Sequence, residues 1–163
     1  MKWLSKEDAL AAVERDRTAG CTICDLARVE PIAASTHAIA ILDRYACRPG
    51  HVLVVLRRHV ENVAALDWPE YADLQHLAWR ACRAIDRVLA PRRIYVAALG
   101  SVAPLATSFP HVHIHVIPLS DGGEADRPAA VFTWNHGMYV FEDAAEEASL
   151  RDRLRAAIPD PAA

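Results

Sequence analysis

Between Pro110 and Pro118 the chain reads His111-Val112-His113-Ile114-His115-Val116-Ile117, with a histidine at every second position and apolar residues between. Strict alternation of this kind predicts a half-buried strand, because successive side chains leave opposite faces of an extended backbone. The three imidazoles then share one face, roughly 6.6–7 Å between alternate residues, while Val112, Ile114 and Val116 pack into the core behind them. A row of neutral rings at that pitch can do two kinds of work. It can bind a metal, or it can supply a nucleophile flanked by hydrogen-bond donors.

A second segment lies upstream: Arg48-Pro49-Gly50-His51-Val52-Leu53-Val54-Val55, followed by Arg57-Arg58-His59. Two such motifs in this order are far more specific than either alone. Together they resemble the histidine triad (HIT) family of nucleotide hydrolases and transferases. The His-apolar-His-apolar-His-apolar-apolar run matches the family signature, and the upstream segment matches its Pro-Gly-His-Leu-Leu-Val-like strand with the basic pair and His after it. The resemblance runs from about Cys21 to Pro118.

At 163 residues the chain is expected to form a single domain, 1–163, with a core at about 21–118 and a C-terminal extension over 119–163. Ser5-Lys6-Glu7-Asp8 predicts a first helix from about Ser5 to Arg17. Cys21 to Cys24 leads into a short turn at Asp25-Leu26-Ala27-Arg28. His37–Leu42 and His51–Leu56 read as strands, and Asp67-Trp68-Pro69-Glu70 opens the longest helix, which carries one apolar stripe and is stopped by Pro91. Ile94–Leu99 is a third strand, and Met138–Phe141 a possible further one. Asp143 and Glu146 predict a capping box for the last helix, with Arg151, Arg153 and Arg155 at its other end, where the macrodipole favours them. This order gives an α+β fold rather than an alternating parallel sheet. The resemblance adds a HIT-like fold: an antiparallel sheet with one long helix packed on it, plus N- and C-terminal helices.

The resemblance also assigns chemistry. The middle histidine, His113, attacks the α-phosphorus of a nucleotide to give a covalent nucleotidyl-imidazole, which water or a second acceptor resolves. His115 donates to the phosphoryl oxygens, and His51 sits behind the triad and helps fix its tautomers. Asp43 stands where the family binds both ribose hydroxyls; read alone, an Asx turn after a strand explains it as well. Ile23, Leu26, Ile41 and Leu42 fall where the family builds its base-stacking wall, positions equally consistent with core. Family hydrolases have a glycine-rich segment ending in Gln-Ser or Gln-Thr before the triad. Here it runs from Gly100 to Phe109 without an amide: Ser108 matches the hydroxyl position and Thr107 stands where the Gln would be. That departure touches the leaving-group pocket, and so the substrate, more than the mechanism. The expected substrates are nucleoside phosphoramidates and dinucleoside polyphosphates. The alternatives are a nucleotide-binding module without turnover and a mononuclear metallohydrolase using the His-x-His-x-His row.

Cys21-x-x-Cys24 lies at zinc-ligand spacing, and His59 and His111 could complete a Cys₂His₂ set. Some HIT proteins and the related galactose-1-phosphate uridylyltransferases carry such a structural site. A reduced or redox-active pair is the other reading, although a thioredoxin-like role would want a βαβ context that a helix and Gly20 do not supply. With Cys47 and Cys82 the chain has four cysteines, read as thiols or ligands rather than a disulfide framework.

Composition sets the remaining bounds. A formal charge of −3 and the lack of any Lys/Arg-rich run offer a polyanion no basic face, so no nucleic-acid partner is expected. The N-terminus turns acidic too soon for a signal peptide and no apolar run is long enough for a membrane span. A cytoplasmic protein without a membrane partner is the expectation, and the resemblance implies a homodimer.

Overall fold

Ala38–Leu42 and Val52–Leu56 are apolar at every position, so both faces of the sheet they form must be covered. The computed structural model describes residues 1–16, 20–26, 29–99, 109–120 and 122–160, and in it every residue of these two segments is buried. The strands along the chain are β1 (Lys2–Leu4), β2 (Ala33–Ala34), β3 (Ala38–Leu42), β4 (Val52–Leu56), β5 (Arg93–Ala97), β6 (His113–Leu119) and β7 (Met138–Val140). The α-helices are α1 (Lys6–Arg15), α2 (Thr22–Leu26), α3 (Trp68–Leu89), α4 (Pro128–Phe132) and α5 (Ala144–Ala157). One sheet has the order β2-β3-β4-β6-β5, all neighbours antiparallel, and β1 pairs with β7 in a second. This is the expected α+β arrangement, an antiparallel sheet crossed by one long helix.

Register sorts the side chains. Val54 faces Ile114, while Leu53 and Val55 face His115 and His113. One face of the sheet, with Ala40, Leu42, Val54, Ile114 and Val116, packs on Leu74, Leu77, Ala81 and Ile85 of α3 and on Leu154 of α5. The other face carries Ile39, Ile41, Leu53 and Val55, packed on Ile23 of α2. Ile114 is 1% exposed in the first layer. Ile114→Ala should therefore lower unfolding free energy by about 3 kcal/mol, read as a fall in the denaturant midpoint. A loss under about 1 kcal/mol would mean that this layer closes over the missing methyls.

α3 starts on a complete capping box between Asp67 and Glu70, with Pro69 in its first turn, and ends on Ala90 at φ 45°. Arg58 also pairs with Glu70, tying the helix start to the segment after β4. Gly50 turns the chain into β4 at φ 86°, where any side chain would strike Leu89. Arg48, two residues earlier, donates 3.2 Å to Asp126 and 2.6 Å to the Cys47 carbonyl. That buried pair fastens the C-terminal extension beside the turn.

Several boundaries differ from the sequence reading. α1 takes Ser5 as its cap and ends at Arg15; Arg17 lies outside the described residues. A one-turn helix, α2, takes in Asp25 and Leu26 of the turn expected at Asp25-Leu26-Ala27-Arg28, whose last two residues lie outside the described residues. The alternating strand starts at His113, because His111 sits in a turn with its amide on the Phe109 carbonyl. It continues through Pro118, which β6 tolerates because pairing with β4 stops at Val116 and leaves Pro118 a neighbour on β5 alone. The α5 capping box is half formed: Asp143 accepts from the Glu146 amide at 2.8 Å, but the Glu146 carboxylate takes the Glu142 amide and the Met1 amino group instead of its own cap. Among the described residues no helix is long and apolar enough to cross a membrane.

Candidate functional site

The site follows from the register of two strand pairs. β3 and β4 end their ladder at Leu42 and Val52, so Asp43 and His51 form the next pair outward, joined by Asp43 N–H to the His51 carbonyl at 2.9 Å. Just before β4, His51 lies two residues ahead of Leu53, the partner of His115, and so both rings leave the same face. A line of contacts results. Asp43 Oδ2 lies 2.9 Å from His51 Nδ1, His51 Nε2 lies 3.1 Å from His115 Nδ1, and His115 Nε2 lies 3.1 Å from His113 Nε2. His113 Nδ1 ends the line, 2.6 Å from the His111 carbonyl.

Burial and charge divide these histidines into two kinds. Burial alone would lower His51, but the Asp43 carboxylate beside it raises its pKa to about 10. Burial would likewise raise Asp43, and the facing His51 holds it below its usual value instead. Burial, followed by the charge of His51, pushes His115 down to about 3. Burial lowers His113 too. The site therefore pairs an imidazolium and a carboxylate with two neutral rings. The His51 contribution to stability is complete below its unfolded value of 6.5 and is lost as pH rises toward about 10. Asp43, with a lowered value, contributes above 3.8 and loses its share as pH falls through the folded value. Melting temperature should fall between pH 6.5 and 10 more steeply for the wild type than for Asp43→Asn, measured in parallel scans. Parallel slopes would mean that the pair does not hold that proton.

These rings open into a cavity of about 370 Å³. Ile23 and Thr22 of α2 line it, with Val13 and Asp16 of the first helix and its cap, Arg44 and Tyr45 after β3, and Phe109, Phe132 and Trp134. Of the expected base-stacking wall, Ile23 lines the cavity and Ile41 lies in the buried cluster of the same face. Leu42 is a correction: alternation turns it to the opposite face, into the α3 layer. The Leu26 side chain, Thr107 and Ser108 lie outside the described residues. Sequence reasoning missed Asp16 and Tyr45, whose hydroxyl donates to Asp16 and so ties α1 across the cavity. It also missed Phe132, 6.2 Å from the His115 ring. Tyr45 lies just before the Arg48-Pro49-Gly50-His51 motif, the one signal that could have drawn attention to it, whereas nothing local in the sequence marks Phe132.

His111 does not join this line of rings. Its Nδ1 is 3.4 Å from Cys21 Sγ and 3.5 Å from Cys24 Sγ, and Cys24 Sγ is 3.6 Å from His59 Nδ1. The four ligand atoms lie within 4.8 Å of one another. Tetrahedral bonds of about 2.3 Å to sulfur and 2.0 Å to nitrogen put ligand atoms about 3.5 Å apart, the spacing of the three sulfur–nitrogen contacts above. His111 Nε2 donates to the Leu56 carbonyl at 2.8 Å, leaving Nδ1 as the free nitrogen, the orienting contact that metal-bound histidines make. The His-x-His-x-His row is thus divided between two sites, and it cannot chelate one ion as a row. Asp43, His51 and His115 also cluster, but Asp43 and His115 address opposite nitrogens of His51, the geometry of a hydrogen-bonded chain rather than a chelate.

The HIT domain model matches residues 30–122. The chain is similar to an uncharacterized HIT-like protein of Mycoplasma genitalium, 27% identical over 117 residues that cover 69% of this chain and 82% of the relative. It is 30% identical over 95 residues to an AP-4-A phosphorylase of Mycobacterium tuberculosis, 58% of this chain and 48% of that protein, so it spans about half the length of that relative. Among solved structures, a HIT-like protein involved in cell-cycle regulation from Bartonella henselae aligns with a TM-score of 0.66 at 17% identity, covering 86% of this chain and 98% of that one. A zinc-bound histidine triad family protein from Mycobacterium smegmatis gives 0.64 at 21%, covering 85% and 93%. These two likenesses are of fold.

Proposed function

This chain belongs to the histidine triad (HIT) family, and from that premise we propose that it cleaves a nucleoside 5′-phosphate linkage, in a phosphoramidate or a dinucleoside polyphosphate, through a nucleotidyl intermediate on His113. One contact carries this reading: His113 Nδ1 against the His111 carbonyl, 2.6 Å away. A carbonyl can only accept, so Nδ1 holds the ring's proton and Nε2 keeps a lone pair. Burial keeps the ring neutral, which is the nucleophilic state. His115, with Nε2 beside the nucleophile, is positioned to donate to phosphoryl oxygens and to a departing group. The cavity walls of Ile23, Phe109, Phe132 and Trp134 suit a base and sugar. The relationship to the AP-4-A phosphorylase supports dinucleoside polyphosphates among the substrates.

For Cys21, Cys24, His59 and His111 the reading is a structural zinc. Two thiols and two imidazoles at tetrahedral spacing suit that ion, and the zinc-bound Mycobacterium smegmatis protein supports it. His111 then serves the metal through its ring and the nucleophile through its carbonyl.

The test is intact-protein mass after brief mixing with nucleoside phosphoramidates and dinucleoside polyphosphates of adenosine and guanosine, quenched in alkali because a phosphorus–imidazole bond is acid-labile. A nucleotide-sized increase on the wild type, absent from His113→Ala, is the expected result. Product without any adduct on rapid quench would remove the covalent step. Substrates left intact, with no adduct, would leave a nucleotide-binding module.

A further inference from the structure

The face of the β5–β6 pair that carries His113 and His115 continues beyond them. Cross-strand pairing sets Ala97 opposite His115, Tyr95 opposite Ile117 and Arg93 opposite Leu119, so Arg93 and Tyr95 share that face with the histidines. Leu119 lies four residues past His115, about 13 Å along the strand. Tyr95 stands between these two ends, stacked on Phe132 at 6.5 Å, and Phe132 is a wall of the histidine cavity. Beyond this stack a second recess of about 610 Å³ opens between the start of β5 and the C-terminal extension. Its chemistry differs from that of the first. In place of walls such as Ile23, Phe109 and Trp134 it has the guanidinium groups of Arg92, Arg93 and Arg127.

These three cations are short of acids. Among the described residues that line the recess, the carboxylates are Glu124 and Asp126. Asp126 is buried and occupied: Arg48 Nε donates to one oxygen at 3.2 Å and the Gly122 amide to the other at 2.7 Å. Glu124 lies 2.9 Å from Arg127, but both side chains are exposed, and such a pair contributes little and yields readily to a stronger anion. Among the described residues no carboxylate forms an ion pair with Arg92 or Arg93. Arg92 is nevertheless held in place. At Gly122, where φ is 70°, a Cβ would come within 2.7 Å of Arg92 Nη1 and 3.2 Å of its Cδ, so the bare glycine is what lets this arginine lie against the loop.

We infer that this recess is a second binding site, separate from the histidine cavity, and that it takes the phosphate chain of a small molecule. Guanidinium forks meet phosphate oxygens two at a time, in a geometry that carboxylate-poor surroundings leave unspent. A recess of this volume is in the range that holds a nucleotide-sized ligand. The rest of the chain, with a formal charge of −3 and no Lys/Arg-rich run, offers no extended basic face, so a small anion fits better than a nucleic-acid strand. The site goes beyond the reaction proposed for His113 and does not depend on it.

Inorganic pyrophosphate is the probe, titrated into ¹⁵N-labelled wild type at about 0.15 M salt, where loose surface attraction is largely screened. The amides of Arg93, Gly122 and Gly123 and the Nε–H signals of Arg92 and Arg93 should shift together and saturate. Replacing both arginines, Arg92→Ser with Arg93→Ser, should weaken the affinity about tenfold or more, at an unchanged melting temperature because both side chains are exposed. Shifts confined to the histidine cavity, shifts that climb without saturating, or equal affinity in the double variant would overturn the inference. A dinucleoside tetraphosphate added to His113→Ala then identifies the source of the phosphates. Recess and cavity signals that move together support the site as the seat of a substrate's far end, lying across the Tyr95–Phe132 stack. Recess signals that follow pyrophosphate and ignore the dinucleotide support it as the seat of a separate phosphorylated ligand. Failure of the adduct on His113 would remove the proposed reaction and leave the pyrophosphate titration standing, so the two failures are distinguishable.

Discussion

Replacing His113 with alanine should lower kcat/KM by about 10⁴-fold or more on any substrate the wild type turns over. The residue supplies the atom that bonds to phosphorus, so its removal leaves only positioning and charge stabilisation by the remaining groups. The loss should not come from unfolding. His113 stands on the sheet face opposite α3, and its polar contacts are to His115 and the His111 carbonyl rather than to the main core layer. Steady-state kinetics and thermal melting on the same sample separate the two causes: the rate should collapse while the melting temperature stays near wild type. His115→Ala should cost less, about 10²–10⁴-fold, since it removes donation and not the nucleophile. A His113→Ala loss below about a hundredfold would sink the covalent reading.

Stripping the metal from a zinc-loaded sample should lower the melting temperature by roughly 10 °C. Zinc at a thousandfold its dissociation constant contributes about 4 kcal/mol, and a domain of this size shifts roughly 2–4 °C per kcal/mol. Three separate pieces of chain meet at the four ligands: Cys21 and Cys24 at α2, His59 after β4, and His111 before β6. A helix the length of α2 cannot hold itself by backbone hydrogen bonds. Without the ion it depends on packing such as that of Ile23, the buried side chain among the described ones of this helix. Metal analysis should find one zinc per chain, and Cys24→Ser should reproduce the chelated melting curve. Absence of zinc, or a melting temperature indifferent to chelation, would return the cysteines to the reading as reduced thiols.

The parts of the fold that were legible in the sequence are those with a strong local period. β6 carries alternation, β4 an unbroken apolar run and α3 a helical stripe, and α3 also advertises its start through Asp67, Pro69 and Glu70. The pairing of β1 with β7 was not legible, because three-residue strands from opposite ends of the chain carry no period of their own. The cluster of Cys21, Cys24, His59 and His111 came from ligand type and spacing, which survive folding unchanged. Asp43 was named as a candidate from resemblance, but its contact with His51 was not foreseen. Read alone it is a turn residue, and its contact with His51 depends on hairpin register. That register was available in principle, since two apolar runs paired end to end make Asp43 and His51 cross-strand neighbours. Leu42 fails for the same reason in reverse: its place in a stacking wall ignored the alternation that the neighbouring strands obey.

The alternation along β6 has an evolutionary consequence. His113 and His115 point to the cavity, whereas Ile114 and Val116 point to the α3 layer, and a single thickness of backbone separates proton traffic from packing. Odd and even letters of one short word are thus open to different kinds of change. Lineages could drift in thermal tolerance through the even positions and through α3 while leaving turnover intact. They could equally lose turnover at an odd position and keep a well-folded, ligand-holding descendant. In a fold drawn this way, inactive relatives cost a single substitution.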